Sequence, residues 1–200
     1  MDKYLLSDEA FLDALTEKAK ASERLRMHYD LRDSAEEQSM RMLNALEPGT
    51  VIPIHRHNDT SEEVICIRGC VEEVLYDDSG EETARLRLSP RSGVIHCRVP
   101  MGQFHTCQSL ESGSVIIEFK AGKYNPRTTE DIFDPASSTK PTESSEHFEN
   151  SLGGLKKNIE YLIGMERHSG SMEVITPLYV SRMLNVPLDE VEAAMKDMDL

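Results

Sequence analysis

No stretch of the 200-residue chain approaches the roughly 18 consecutive apolar residues that a membrane-spanning helix requires, which excludes a helical membrane protein. The opening segment, MDKYLLSDEAFLDALTEKAK, has acids interrupting its apolar runs, so it lacks the continuous core of a secretory signal. No CxxC pair occurs among the four cysteines, Cys66, Cys70, Cys97 and Cys107, all of which fall in apolar, strand-like stretches. A chain of this length can bury a core without disulfides, so these read as reduced thiols and the protein as soluble and cytoplasmic. Basic residues are scarce, 22 Lys and Arg against 36 Asp and Glu for a net charge of -14, which argues against a nucleic-acid partner. No internal repeat is visible.

What is present falls into four segments. Residues 1–23 hold one short amphipathic helix, from about Ser7 to Ala21, with Phe11, Leu12 and Leu15 at helical spacing and Ser7 as a weak cap. Residues 24–135 change to short runs rich in Val, Ile and Leu, punctuated by turn signals at Glu47–Gly49, His57–Asp59, Asp77–Gly80 and Ser89–Gly93. Such texture predicts a mainly β fold, a small antiparallel β-barrel or jelly roll. Residues 136–150, rich in Pro, Ser, Thr and Glu, have almost nothing to bury and read as a linker. Residues 151–200 regain helical periodicity, with Asn185-Val186-Pro187 breaking the last two helices.

The chemistry concentrates in the β segment. VIPIHRH, residues 51–57, reads as a strand whose alternation aims His55 and His57 at a common point. Glu62 follows after the turn-forming Asn58 and Asp59, so a returning strand can set its carboxylate beside them. The Pro100-Met101-Gly102 turn then precedes His105, a fourth donor from a different hairpin. Three imidazoles and one carboxylate suit one divalent transition metal, whether Fe, Mn, Ni, Co or Zn, with positions left open for a ligand.

Strand parity puts Cys66 and Cys107 on the ligand-bearing face, where buried small hydrophobes are the simpler account of them. Glu118 and Lys120 share one strand face and either line a polar pocket or meet solvent. Tyr29 and His28 precede the barrel where they could cap its mouth. His96 reads as a structural histidine, His147 and His168 lie outside the barrel, and Met27, Met40 and Met42 read as core filling.

The spacing resembles the cupin family. Gly49, five residues, His55-Arg56-His57, four residues, Glu62, six residues and Gly69 match its first motif. Gly93, six residues, Pro100-Met101-Gly102, two residues and His105 match the second with one extra residue, and Ser109 stands where the family usually has Asn. More narrowly, RLRMHYDLR, QSMRMLNALEPGT, VICIRG and IIEFKAGKY resemble the WbuC-type cupin metalloproteins over residues 24 to 125. That resemblance implies the fold, a metal site and an association with O-antigen polysaccharide genes, but no assigned reaction.

Three functions follow as expectations. The first is a metal-dependent isomerase or epimerase acting on, or a protein binding, a small molecule such as a sugar or sugar-nucleotide in polysaccharide metabolism. The second is an Fe(II)-dependent dioxygenase. The third is a ligand-sensing regulator, since residues 177–198 look like a helix-turn-helix; but Asp189, Glu190, Glu192 and Asp197 would repel phosphates, so that segment is expected to pack on the barrel or on a second copy in a homodimer.

Overall fold

The structure, a computed structural model, describes residues 4–134, 152–169, 175–184 and 186–200. Helix α1 (Glu9–Ala21) is capped by Asp8, whose Oδ1 accepts from the Phe11 amide at 2.9 Å, rather than by Ser7. An aspartate both caps an N-terminus and complements its partial positive charge. Eight strands follow: β1 (Arg26–Asp30), β2 (Ser39–Leu46), β3 (Glu62–Arg68), β4 (Val71–Tyr76), β5 (Glu82–Leu88), β6 (His96–Val99), β7 (Phe104–Ser109) and β8 (Ser114–Ala121).

They form two antiparallel sheets, β1-β2-β8-β3-β6 and β5-β4-β7, a jelly-roll-like arrangement. Among the described residues the hydrogen-bonded ladders do not close into a continuous barrel. Between them lies a core of Leu46, Val64, Cys66, Val71, Leu88, Cys97, Val99, Cys107 and Ile116. Period-two alternation gives the larger sheet a second apolar face, Leu43, Ala45 and Val115, and α1 covers it with Leu12, Leu15 and Ala19.

Residues 51–57 do not form the expected strand. Pro53 carries no amide hydrogen, and pairing there reduces to a bridge at His55, which faces His105 on one side and Ile132 on the other. Gly69, which ends β3, has φ +78° and packs so close to Ser114 that a Cβ would come within 2.7 Å of the Ser114 Cα. The turn therefore requires glycine twice over, by conformation and by space.

The C-terminal helices are α2 (Leu152–Ser169), α3 (Pro177–Leu184) and α4 (Leu188–Asp197). They build a core of their own from residues including Leu155, Ile159, Leu162, Tyr179, Val180 and Val191, and this core takes in Ile132 from the β region. Asp189, Glu190 and Glu192 are exposed on α4. The linker expected over 136–150 and His147 within it lie outside the described residues, as does the side chain of His168.

Candidate metal centre

Three backbone devices bring the four donors together. The amides and carbonyls of His55 and His105 exchange hydrogen bonds of 3.0 and 2.8 Å, locking the 51–57 segment to β7. The His57 carbonyl accepts from the Gly102 amide at 2.8 Å, so the Pro-x-Gly turn ahead of His105 also holds His57. Glu62 opens β3 opposite Lys120 of β8 and faces inward from the larger sheet.

The side chains converge. One ligand atom from each of His55, His57, Glu62 and His105 lies within 4.8 Å of all the others. His55, Glu62 and His105 are buried and His57 nearly so. The ring centroids are 4.3 Å apart for His55–His105, 5.2 Å for His55–His57 and 5.7 Å for His57–His105.

Hydrogen bonding orients two of the rings. Nδ1 of His55 is 2.8 Å from the Pro53 carbonyl oxygen, and Nδ1 of His105 is 3.0 Å from that of Gln103. A carbonyl only accepts, so each Nδ1 carries the proton and each Nε2 is turned inward. Nε2 of His105 lies 2.9 Å from Oε2 of Glu62, and it donates to the carboxylate when that nitrogen also carries a proton. Either that proton or a metal ion satisfies the pair.

Charge states fit a metal ligand set. Burial, reinforced by Arg127 and the neighbouring imidazoles, holds His55 far below the usual histidine range. Burial and the Lys120 ammonium lower His57 to about 2, so both rings are neutral at physiological pH. Burial works against ionising Glu62, but Lys120 and the hydrogen bond with His105 win and hold it well below the carboxylate range. Neutral imidazoles and an ionised carboxylate are the forms that coordinate metals. Lys120 is an awkward neighbour for a cation, with Nζ 2.8 Å from Glu62 Oε1 and 3.2 Å from His57 Nε2.

Above the cluster opens a cavity of about 130 Å³. Glu118 and Lys120 both line it. Burial, then the charge of Glu62, pushes the Glu118 carboxyl up to about 7. Cys66 and Cys107 do point inward but belong to the apolar core and not to the cavity wall. Burial pushes the Cys66 thiol up to about 11 and raises Cys107 well above the usual thiol range, so both are inert. Tyr29 is not in the wall either: it pairs with Leu43 on the outer face and packs edge-on against Phe11 at 5.0 Å. Its neighbour His28, one residue out of phase, lines the cavity. His96 is exposed and hydrogen-bonded to Glu63 at 2.6 Å.

Sequence reasoning missed Arg127, Asn44 and Met183, which also face this space. Met183 comes from α3 and Arg127 from the stretch after β8, and no spacing rule connects either to the motif. It also missed Glu73, which is 1% exposed and whose carboxylate oxygens meet no hydrogen-bond partner. Burial, then Glu62 and Glu118, raises Glu73 well above the usual carboxylate range, which favours its neutral form.

Fold and site together are cupin-like: facing antiparallel sheets, with His55 and His57 held beside His105 on β7 and Glu62 reaching them from the larger sheet. The sequence matches a family described as a domain of unknown function, DUF6016, over residues 7–88, a stretch that ends before His105. No curated protein matches the chain. Among solved structures, KdgF from Halomonas sp. is similar at 19% identity and TM-score 0.41, over 50% of this chain and 82% of that one. The capsular polysaccharide assembling protein CapF from Staphylococcus aureus is similar at 14% identity and TM-score 0.41, over 56% of this chain and 27% of that one. The Cnp3 cupin domain of Schizosaccharomyces pombe is similar at 11% identity and TM-score 0.39, over 50% and 65%.

Proposed function

We propose that the protein is a mononuclear metalloprotein in which His55, His57, Glu62 and His105 hold one divalent transition metal that acts on a small molecule bound in the cavity. The observation that carries this reading is the buried convergence of one ligand atom from each of these four residues, all within 4.8 Å of one another. Four protein donors leave a six-coordinate ion two open positions, which suits catalysis or ligand binding better than a closed structural site. The resemblance of residues 24 to 125 to the WbuC-type proteins supports the metal and leaves the reaction to the geometry.

Bound there, the metal would supply Lewis-acid polarisation of a ligand carbonyl or hydroxyl. The chain's own groups supply the rest. Glu118, with a carboxyl poised near neutrality in the cavity wall, is suited to accept and return a proton, which favours isomerisation or epimerisation over oxygenation. Lys120 neutralises Glu62 and sets its orientation. The cavity holds several times the roughly 10–15 Å³ that a single water needs but falls short of the roughly 300–1,000 Å³ of drug-sized pockets. A single sugar or smaller molecule therefore fits better than a nucleotide-linked one.

Elemental analysis of protein purified without chelator or nickel resin, with His57→Ala beside it, tests the reading. Near-stoichiometric transition metal lost in the variant supports it. A wild type that binds no added Mn(II), Fe(II) or Zn(II) rules it out.

A further inference from the structure

This is an acidic protein, with a net charge of -14, yet the cavity wall reverses that balance. Arg24, Arg26, Lys120, Lys123 and Arg127 line it, against Asp59, Glu62 and Glu118. Chance placement of scarce cations around an enclosed space is a poor account, because like charges gathered there repel one another unless something answers them.

Most of these cations are answered from within the chain. Lys120 is 2.8 Å from Glu62 Oε1, and Lys123 pairs with Glu36. Arg26 donates to the Thr50 hydroxyl at 3.3 Å and to the Val51 carbonyl. Arg127 is half-buried and, among the described residues, makes neither a hydrogen bond nor an ion pair. It is close enough to His55, His57 and Glu118 for its charge to bear on all three.

Its root is held still. One residue on, the Thr128 amide donates to Asp131 Oδ2 at 2.7 Å, and Arg56 and Phe133 amides bond across to the Asp131 and Ile54 carbonyls at 2.9 Å each. The guanidinium is thus carried by backbone stitched to the strand segment that bears His55. A positioned guanidinium with free donors is a two-pronged site for a carboxylate or phosphate.

We propose that the cavity binds a small monocarboxylate, with its carboxylate on Arg127 and its adjacent hydroxyl or carbonyl oxygen turned toward the His55, His57, Glu62 and His105 cluster. The second contact rests on the metal reading above, and the first does not. One unanswered cation matches one negative charge. Three acidic side chains in the same wall oppose a dianion, which disfavours phosphate. Met40, Met42 and Met183 offer the remaining wall to a short aliphatic part, and the space of about 130 Å³ limits its length.

The test is calorimetric titration of the full-length protein, metal-free and Mn(II)-loaded, with glycolate, lactate and pyruvate, with neutral glycolamide and with inorganic phosphate. At least one of the three acids should bind, glycolamide should bind about tenfold more weakly than glycolate or not at all, and Arg127→Gln should weaken the acid by about tenfold or more while Arg127→Lys recovers part of the loss. Manganese stoichiometry should be unchanged in both variants. Acid binding that depends on Arg127 in a protein that takes up none of Mn(II), Fe(II) and Zn(II) would keep the carboxylate site and remove the metal reading. No binding of any acid, equal binding of glycolate and glycolamide, wild-type affinity in Arg127→Gln, or a preference for phosphate would each overturn the proposal.

Discussion

The backbone of Ile132 faces that of His55 in a single antiparallel bridge, while its side chain is buried among the C-terminal helices. One residue thereby connects the segment that bears His55 to a helical unit whose core is otherwise separate. Met183 of that unit reaches the same cavity.

Replacing Ile132 by Ala should therefore act on both parts. Truncation of a 2% exposed isoleucine removes packing worth about 2–5 kcal/mol. Thermal unfolding should shift down, and manganese retention should weaken as the bridge loosens, whereas Ile132→Val should lie close to wild type. Unchanged metal binding alongside the lower transition would show that the helices only decorate the site.

Lys120 places a positive charge at 3.2 Å from His57 Nε2 and 2.8 Å from Glu62, where it opposes a second cation. Lys120→Gln should tighten Mn(II) binding by a few-fold to about tenfold, since removing a like charge at this range is worth on the order of 1 kcal/mol. Weaker binding would mean that its orientation of Glu62 outweighs the repulsion.

The metal-free protein should lose stability in acid through its histidines. His57 is lowered to about 2 and His55 is held far below its usual range, so below about pH 6.5 the unfolded chain takes up protons that the folded one does not. Their contribution is complete above pH 6.5 and fades as pH falls from there toward 2. Chemical denaturation at pH 7.5, 6 and 5 should show this decline, and His57→Gln should flatten it.

The acidic side chains Glu73 and Glu118 act in the opposite sense. Their folded values are raised, so the stability associated with their neutral forms is complete below about pH 4.5 and is lost as pH rises, through about 7 for Glu118. Glu73→Met removes a fully buried carboxyl without a partner and should stabilise the protein by about 1–3 kcal/mol. Glu118→Gln should gain stability at pH 8 and little at pH 4.5. If Glu73→Met unfolds the protein, the neighbouring Cys107 thiol is a partner that Glu73 needs.

Gly69→Ala combines a positive φ with a contact on Ser114 backbone that cannot yield. It should cost more than about 1 kcal/mol, the penalty for left-handed backbone alone. A second change, Ser114→Gly, should restore little, because the clash with the Ser114 Cα remains.

Much of the site was legible because the motif is local in character. Short spacings tie His55 to His57 and Glu62, and a Pro-x-Gly turn marks His105, so the convergence of these four could be read without coordinates. The β class was legible from alternation, and the capping error, Ser7 for Asp8, is the one-residue slip that propensity leaves open. The expected strand over 51–57 failed because periodicity reports which way side chains point and says nothing of whether a neighbouring backbone is there to pair.

The sequence by itself determined the strand-rich architecture and the poverty in cations and singled out the four side chains that cluster, since residue identity and short-range spacing decide these. Only the tertiary structure decided which of two adjacent residues, His28 or Tyr29, faces the cavity, that Glu73 is buried without a partner, and that Arg127 and Met183 reach the four donors. Those outcomes depend on how separate elements pack, and packing between residues distant in the chain leaves no period in the sequence to read.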